Sequence, residues 1–356
     1  MPTAALSDKI LADGSDRIRA MVSCGGNPVA AWPDQRKTIA AMERLELLVQ
    51  IDPWMSATAR LADYIIAPRI WLEVPGTSQV LDWLTRNGTG YGQVDPYAQY
   101  SPAILEDPED SDLIEEWEFF YEVARAMGLE LSIHPAMGDD LPPVALSMHE
   151  KPTTDDVLEA LARGSRVPLS VVKTNEGGAI YEGDAVHVAP GNGMERFDFA
   201  ATDMLADLAS ETLDTEPAEG RFRLLCRRMM HVYNSSFVGA LPSNARPYNP
   251  AFMAPGDMDM LGIEDGAEVR ITSPHDAIPA VAMADPTLRP GTVSMSFGFG
   301  GLPSDDAAYR LIGSNPARLL RNDDIYDRYS GQPLMTNIAI DIVPAVEGVE
   351  TAAVQA

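Results

Sequence analysis

Cysteine is nearly absent from this sequence of 356 residues: only Cys24 and Cys226 are present, far apart in the chain and with no Cys-x-x-Cys pair. A zinc site or an iron–sulfur cluster needs about four ligands, so neither can be built from these cysteines alone. One disulfide is arithmetically possible, but reduced thiols in a reducing compartment agree better with so low a count.

Recognisable catalytic motifs are also lacking. The sequence has no Gly-x-Ser-x-Gly elbow, no Walker A loop and no His-Glu-x-x-His helix. Its five histidines are scattered, and His134, His149, His187 and His275 show no spacing typical of a metal site. We therefore assign no catalytic residue and no metal ligand.

Positive charge is in deficit, with 26 Lys and Arg against 53 Asp and Glu and a formal net charge of −27. Nucleic-acid binding is disfavoured, because phosphate neutralisation needs clustered Lys and Arg. No apolar run approaches the roughly 18 residues that span a bilayer, and no secretory signal is visible at the N-terminus. We expect a cytoplasmic protein that binds neither nucleic acid nor membrane, although backbone amides and a few arginines can still bind an anionic cofactor.

The length predicts two domains, and the hydrophobic fraction of 46% is that of a globular protein. The polar stretch 213–220, which contains a proline, predicts a boundary that divides the chain into residues 1–215 and 216–356. An irregular insertion of little regular pattern is expected at about 77–170 within the first domain.

The two halves have different patterns. Strands at 18–24, 48–51 and 64–67, separated by helices at 34–47 and 56–61, predict βαβ units and a Rossmann-like, parallel, doubly wound sheet. After the boundary short strands dominate and predict a closed β-barrel domain; they are expected at 221–226, 267–273, 279–284, 292–297 and 337–343. The fold class is therefore α/β followed by β.

A first candidate site follows the first strand, where Gly25, Gly26 and Asn27 precede Pro28. Ligands bind at the carboxyl edge of doubly wound sheets, and glycines let a phosphate approach backbone amides. A plain turn is the alternative, and by itself this motif would favour it.

Asp52 ends the second strand of the same sheet, and Thr58 and Asp63 lie just beyond it. An acid at such a strand end can accept hydrogen bonds from ribose hydroxyls or from the edge of a guanine. The alternatives for Asp52 are a helix N-cap and a surface acid.

A second candidate site is the polar loop after the strand at 221–226. Its arginines can give forked hydrogen bonds to a pyrophosphate, and its other polar side chains supply neutral hydrogen-bond donors and acceptors. A basic surface patch is the alternative. The residues are Arg227, Arg228, His231, Asn234, Ser235 and Ser236.

The third candidate site contains Asn315, in the segment 313–320, and Gln332, in the segment 323–333. For Asn315 the alternative is a helix N-cap, and for the segment around Gln332 it is an ordinary turn. The glycine loop at 297–301 is interpreted as a barrel strand and its turn rather than as a ligand site.

The run from Tyr248 to Ser273 is the most informative part of the sequence. A short polar strand end leads into a helical turn with Met258, Met260 and Leu261. Gly262-Ile-Glu-Asp-Gly266 then turns into an alternating strand. This run resembles the C-terminal dinucleotide-binding domain of the molybdopterin oxidoreductases, the dimethyl sulfoxide reductase family.

Residues 18–76 are similar to the second Rossmann-like segment of the same family. A Gly-x-Asn-Pro turn, a strand-end Asp, a Thr-Ala helix and an Ala-Asp-x-x-Leu-Pro segment recur there in this order. Here the last element is Ala62 to Pro68, with one additional residue before the proline, and Glu73 and Gly76 echo the Glu-x-x-Gly that follows. Members such as the acetylene hydratase- and formate dehydrogenase-like proteins have the most similar pattern.

The resemblance implies a double-psi-type β-barrel in the second domain and a molybdopterin guanine dinucleotide cofactor with molybdenum or tungsten. It implies that the three candidate sites contact this cofactor, with Asn315 at the pterin. Because the cysteine-rich and metal-ligand segments of the family are not seen here, we expect the chain to be the C-terminal half of such an oxidoreductase. It would bind no iron–sulfur cluster itself, and would depend for activity on an N-terminal half or subunit as partner.

Two alternatives remain. The chain could be a cofactor-binding module or truncated remnant without turnover. It could instead be a nicotinamide-dependent Rossmann enzyme, which is disfavoured because the turn lacks the third glycine of Gly-x-Gly-x-x-Gly and no catalytic His or Tyr-x-x-x-Lys follows.

Overall fold

The computed structural model describes residues 2–81, 95–135, 141–182, 199–210, 221–230, 232–235, 246–322, 326–327 and 329–345. By packing, the chain divides into two compact units, one of Met1–Ile66 with Thr212–Ala356 and one of Ala67–Glu211. The first unit is therefore discontinuous in sequence. The predicted boundary segment 213–220 lies outside the described residues, so a division after residue 215 stays a prediction.

The first unit begins with a small α/β layer. Its three strands form a parallel sheet in the order β1–β2–β3, with Val22 beside Val49 and Val49 beside Tyr64. This confirms the predicted parallel sheet. The elements are α1 (Leu6–Leu11), β1 (Ala20–Cys24), α2 (Pro28–Ala31), α3 (Gln35–Arg44), β2 (Leu47–Ile51) and β3 (Tyr64–Ile66), with 3₁₀ turns at Thr3–Ala5 and Ala59–Leu61.

Helix α3 packs on this sheet. Asp34 caps its N-terminus, because the Asp34 carboxylate accepts from the Lys37 N–H at 3.2 Å. On its inner face Met42 is 2% exposed and packs with Val29, Leu48 and Ala57 in a common apolar cluster. The apolar period of the sequence thus fixes which face of α3 is buried.

The second unit is built from helices and short two-stranded pairs. Its Thr153 begins a helix through a capping box, in which Thr153 and Asp156 exchange side-chain and backbone hydrogen bonds. The helices are α4 (Glu116–Ala126), α5 (Thr154–Leu161), α6 (Leu169–Val172) and α7 (Thr202–Ser210), with a 3₁₀ turn at Ser78–Leu81. The strand pairs are β4 (Gly76–Thr77) with β6 (Tyr100–Ser101), β5 (Tyr97–Ala98) with β9 (Ala179–Ile180), and β7 (Ser132–Ile133) with β8 (Val144–Ala145).

The C-terminal part of the first unit is a closed six-stranded barrel in the order β10–β14–β11–β13–β12–β15. The pairs β10·β14 and β11·β13 are parallel, and the other four are antiparallel. The strands are β10 (Phe222–Arg227), β11 (Pro250–Met253), β12 (Glu268–Thr272), β13 (Ala277–Ala284), β14 (Thr292–Ser296) and β15 (Ile338–Pro344). The predicted barrel is confirmed, and β11, expected only as a short strand end, is one of its strands.

Local sequence explains the most regular part of the barrel. Helix α8 (Pro255–Leu261) begins with proline at its first position and ends at Gly262, which adopts the left-handed conformation at φ 65°. In β12 the side chains alternate, so that Val269 and Ile271 enter the core. After β14 come helix α9 (Tyr309–Ile312) and two 3₁₀ turns, Pro303–Ala308 and Pro316–Leu319.

Candidate functional site

The turn after β1 presents two backbone donors, the N–H groups of Gly26 and Asn27, for which the described residues provide no hydrogen-bond acceptor. Gly25 adopts φ +62° and its N–H is bonded to the carbonyl of Ile51 at 2.9 Å, so this amide completes the sheet. Nothing lies within 4 Å of the place where a Cβ of Gly25 would stand, so the turn is open on this side. Its geometry suits the approach of an anion to the Gly26 amide.

Asn27 and Thr58 bond to each other. The Asn27 Oδ1 accepts from the Thr58 N–H at 3.2 Å and from its hydroxyl at 2.8 Å. The Thr58 hydroxyl, in turn, accepts from the Val29 N–H at 3.1 Å, and its side chain is fully buried. Thr58 therefore orients the turn from inside the protein, and the cofactor contact predicted for it stays a prediction.

Asp52 lies at the carboxyl edge of β2, and both of its carboxylate oxygens accept hydrogen bonds. Oδ1 accepts from the Trp54 N–H at 2.9 Å, and Oδ2 accepts from Nε2 of Gln50 at 3.0 Å. The carboxylate remains half-buried. Gln50, which sequence reasoning missed, is fully buried and also donates to the Gly26 carbonyl at 2.7 Å. The signal was a lone amide in the otherwise apolar strand Leu47–Ile51.

Asp63 is not brought to this edge. Its Oδ2 accepts from the Leu48 N–H at 2.8 Å, and its own N–H donates to the Leu48 carbonyl at 2.9 Å. Asp63 precedes β3, so in a parallel sheet it lies at the amino edge, opposite Gly25 and Asp52. This placement separates it from the residues with which it was grouped, and gives it a structural role.

The two arginines after β10 differ in their partners. Arg227 bonds to Asp285 at 3.0 Å and lies over the Phe252 ring at 4.1 Å. The pKa of Asp285 is lowered, first by hydrogen bonds from Thr287 and then by Arg227. The charge of Arg227 is thus already compensated by a carboxylate of the chain itself.

Arg228 is exposed and has no carboxylate partner among the described residues. One of its N–H groups donates to the neutral Oδ1 of Asn234 at 2.6 Å, and its guanidinium lies 4.6 Å from the centre of the Phe297 ring. The side chain is therefore held in place while its charge remains available to an anion.

The glycine loop after β14 packs directly against other loops of the same unit. At Gly298, with φ +85°, a Cβ would lie 2.5 Å from the Asn234 carbonyl oxygen and 3.0 Å from the Ser235 nitrogen. At Gly300 a Cβ would lie 2.9 Å from the Asn315 nitrogen. These glycines thus admit protein backbone, which agrees with the interpretation as a strand and its turn. His231 and Ser236, predicted for the neighbouring loop, lie outside the described residues.

Both polar atoms of the Asn315 side-chain amide make hydrogen bonds, and the residue is 1% exposed. Oδ1 accepts from the Ala317 N–H at 2.9 Å, which caps the turn Pro316–Leu319, and Nδ2 donates to the Val29 carbonyl at 3.3 Å. The N-cap alternative is therefore what the structure has. Gln332 is exposed in a turn, where its carbonyl accepts from the Asp327 N–H at 2.7 Å.

A buried network joins the turn after β1 to the barrel loops. Gln35 donates to the carbonyls of Val29 at 3.2 Å and Gly301 at 2.9 Å, and its own oxygen accepts from Arg318 at 3.1 Å. Arg318 is 3% exposed and forms a forked pair with Asp306 at 2.6 and 2.9 Å. The turn at 25–28, the glycine loop and the segment at 313–318 are therefore neighbours. Nothing in the sequence pattern pointed to Gln35 or Arg318.

His275 joins the β12–β13 hairpin to the start of α3. Its Nε2 lies 3.1 Å from Oδ1 of Asp34, and the adjacent residues Arg36 and Asp276 form an ion pair. The hydrogen bond to Asp34 raises the pKa of His275 above 6.5, against the opposing effect of partial burial.

These loops fit a dinucleotide better than a metal. The Gly26 N–H and the exposed Arg228 guanidinium suit phosphate, and the Asp52 carboxylate suits the N–H edge of a base. In the described residues there is no group of three or more His, Cys, Asp or Glu side chains able to hold a metal ion. Cys24 and Cys226 are not joined by a disulfide, and burial raises the pKa of the Cys226 thiol.

Comparison with known proteins now identifies the barrel. Residues 222–339 match the model of the Molydopterin dinucleotide binding domain. The chain therefore contains this domain, as the resemblance predicted. None of the helices in the described part of the chain has the length and apolar character of a membrane span.

Two curated relatives align with parts of the chain. One is the alpha subunit of an NADPH-Fe(3+) oxidoreductase of Geobacter sulfurreducens, 27% identical over 33% of this chain and 12% of that protein. The other is the molybdopterin-containing subunit of an arsenate respiratory reductase of Shewanella sp. strain ANA-3, 35% identical over 25% of this chain and 10% of that protein. The alignments thus span about a tenth of each relative.

A solved structure shows the same fold over nearly the whole chain. Acetylene hydratase from Pelobacter acetylenicus superposes with a TM-score of 0.63 at 18% identity, covering 96% of this chain and 46% of that one. The chain spans about half the length of this structural relative. At this identity the likeness establishes a shared fold.

Proposed function

We propose that the chain is the cofactor-binding portion of a molybdopterin-dependent oxidoreductase and binds the guanine dinucleotide form of the cofactor. The observation that supports this most is the network in which Gln35 bonds to both Val29 and Gly301. It holds the open turn after β1 beside loops of a molydopterin dinucleotide binding domain. A ligand with a nucleotide at one end and a pterin at the other needs both elements.

Each group has a proposed role. Gly26 donates its N–H to the pyrophosphate, and Arg228 supplies the positive charge for it. Asp52 accepts from the N–H groups of the guanine edge. Asn234 and Ser235 lie in the loop proposed to contact the pterin, while Asn27 and Asn315 keep the loops in place through the bonds described above.

When bound, the pterin dithiolenes would hold a molybdenum or tungsten ion, and that ion would supply the two-electron or oxygen-atom chemistry. The described residues of this chain orient the cofactor and compensate its charge. We propose that the barrel is of the double-psi type, a proposal supported by its closed six-strand order and its two parallel pairs.

A partner polypeptide with the iron–sulfur and metal-ligand segments is part of this proposal. On one face of the β1–β2–β3 sheet the apolar side chains of Val22, Leu47 and Tyr64 are 44%, 36% and 64% exposed, while Val49, between Val22 and Tyr64, is buried. Parallel sheets are normally covered on both faces, so this face is suited to a partner. A cytoplasmic location stays a prediction.

The test is metal and pterin analysis of the chain, produced alone and together with the product of its neighbouring gene in a host that makes the cofactor. We expect molybdenum or tungsten, and GMP released on acid hydrolysis, in stoichiometric amounts with the complex. Absence of metal and pterin from both preparations would refute the proposal. Pterin and GMP without turnover in the complex would favour the alternative, a binding module.

A further inference from the structure

Gln50 is an isolated polar side chain in a buried strand. Its neighbours Leu48, Val49 and Ile51 are apolar and at most 5% exposed, and Gln50 itself is fully buried. Its Nε2 has two acceptors, the Gly26 carbonyl at 2.7 Å and the Asp52 carboxylate at 3.0 Å. Since Nε2 bonds to two acceptors, the orientation of the amide is defined.

The other half of this amide has no partner. Oε1 of Gln50 is buried and makes no hydrogen bond within the described part of the chain. An unsatisfied buried oxygen is destabilising, and an apolar side chain of the same shape would avoid it. The sequence therefore keeps an amide at a buried position where only its Nε2 is used, which points to a functional role for this donor.

That donor acts on Asp52. With Nε2 of Gln50 on Oδ2 and the Trp54 N–H on Oδ1, the carboxylate is fixed in one plane, and each oxygen keeps a lone pair for a further donor. Because Asp52 is half-buried rather than fully buried, a ligand can reach it. Two oxygens side by side match two adjacent N–H donors, as guanine has at N1 and N2, whereas adenine presents a donor beside an acceptor.

We propose that Gln50 is a positioning residue that fixes the Asp52 carboxylate for a base edge with two adjacent N–H donors, and so sets the preference of this nucleotide site for guanine. The inference rests on the proposed function, because it needs a nucleotide at this edge. Gln50 touches no ligand itself and acts only through Asp52 and the Gly26 carbonyl.

The key variant is Gln50→Met, which keeps the shape and removes both polar atoms. The Gly26 carbonyl keeps the Ser23 hydroxyl as donor, and Asp52 keeps the Trp54 N–H and is only half-buried. We expect an unchanged or higher Tm. A purely structural Gln50 predicts the opposite, a lower Tm.

The ligand probes are GDP, IDP, which lacks the 2-amino group, and ADP, titrated calorimetrically against the full-length chain. We expect the native chain to prefer GDP over both. In Gln50→Met the Kd for GDP rises about tenfold and the ratio of the IDP and GDP constants falls towards one. Native affinity and native selectivity in this variant would overturn the inference. Failure of the native chain to bind GDP would instead count against the proposed function.

A second variant gives a pH signature. Gln50→Glu places a second carboxyl against Asp52, so the pair retains a proton that can replace the lost Nε2 donor. GDP binding should be weak at about pH 8 and recover towards about pH 6, whereas binding by the native chain should change little over this range. An equal pH dependence in both proteins would contradict the inference.

Gln79 provides a matched control. It is 2% exposed, its Oε1 is likewise unpaired, and its Nε2 donates to the Val167 carbonyl in the other compact unit. Gln79→Met makes the same chemical change and should leave the Kd for GDP at the native value. A rise equal to that of Gln50→Met would mean that loss of a buried amide weakens binding nonspecifically, and would overturn the inference.

Discussion

Asn315 donates a hydrogen bond from its side-chain amide to the carbonyl of Val29, 3.3 Å away and 286 residues earlier in the chain. The same side chain caps the turn that begins at Pro316. One buried residue thus fixes the start of a barrel turn and its distance from the turn after β1. A mutation at Asn315 should therefore lower the stability of the fold, and any effect on ligand binding should follow from this loss.

Asn315→Ala removes the cap and the bond to Val29. We expect a loss of about 1–2 kcal/mol in the free energy of unfolding, measured by urea denaturation. Asn175→Ala, which removes an exposed amide, is the control and should change this free energy by less than about 0.5 kcal/mol. Equal effects of the two substitutions would show that Asn315 does not join the segments as described.

His275 should make stability depend on pH. Its pKa in the folded chain is raised above 6.5 by Asp34, so its contribution is fully present below the pKa of the unfolded chain and is lost as the pH rises through the raised value. Besides Asp34, the charged groups that act on it are Asp276, which also raises this pKa, and Arg321, which lowers it.

In the measurement, the free energies of unfolding of the native chain and of His275→Gln are compared at about pH 6 and about pH 8. The native chain should be the more stable at pH 6, and the difference should shrink at pH 8. His149, which is exposed, is replaced by Gln as the control, and this substitution should change the free energy of unfolding by less than about 0.5 kcal/mol. A difference that grows with pH would have the wrong sign for this ion pair.

Replacing Arg227 and replacing Arg228, the two arginines after β10, should have different effects on ligand binding and stability. Arg228→Met removes an uncompensated charge and should weaken binding of GDP about tenfold, with a reduced dependence on salt. Arg227→Met removes a charge that Asp285 already compensates, so the Kd for GDP should rise less than in Arg228→Met. It also breaks the ion pair with Asp285, so we expect a lower Tm. Calorimetric titration at two salt concentrations checks both expectations. Larger loss of binding in Arg227→Met would reverse the proposed roles.

Gly298→Ala should disrupt the contact between the glycine loop and residues 234–235. The new Cβ would lie 2.5 Å from the Asn234 carbonyl oxygen, at a φ of +85° that alanine rarely adopts. We expect a loss of more than about 1 kcal/mol in the free energy of unfolding. Gly256→Ala, in helix α8 and with open space around the Cβ, should instead stabilise the chain by about 0.5–1 kcal/mol. Urea denaturation of both variants distinguishes a local clash from a general effect of replacing glycine.

Local patterns were sufficient for most elements. Alternation in 267–273 predicted β12, and the spacing of strands and helices before Pro68 predicted a parallel sheet. Strand β11 was expected only as a short strand end and not as a strand of the barrel, because its four residues begin with proline and show no alternation of their own. It exists because β13 and β14 provide partners on both sides.

The candidate site was predicted as a set of segments and not as a set of contacts. Residue type and strand end were enough to single out Gly26, Asp52 and Arg228. Residue type and position could not show that Thr58 and Asn315 are buried. The same side chain can bond to a ligand or to another group of the chain, and the sequence does not distinguish the two cases. Gln35 and Arg318 escaped notice because their partners lie far away in sequence.

By itself the sequence determined the parallel sheet, most strands of the barrel and the domain type at 222–339, because periodicity, turn residues and motif order are local properties of the chain. The tertiary structure decided which polar groups remain available. Parallel strand direction placed Asp63 at the edge away from Gly26, and an ion pair with Asp285 compensated Arg227 but not Arg228. Such outcomes depend on distances between residues that only the folded chain brings together.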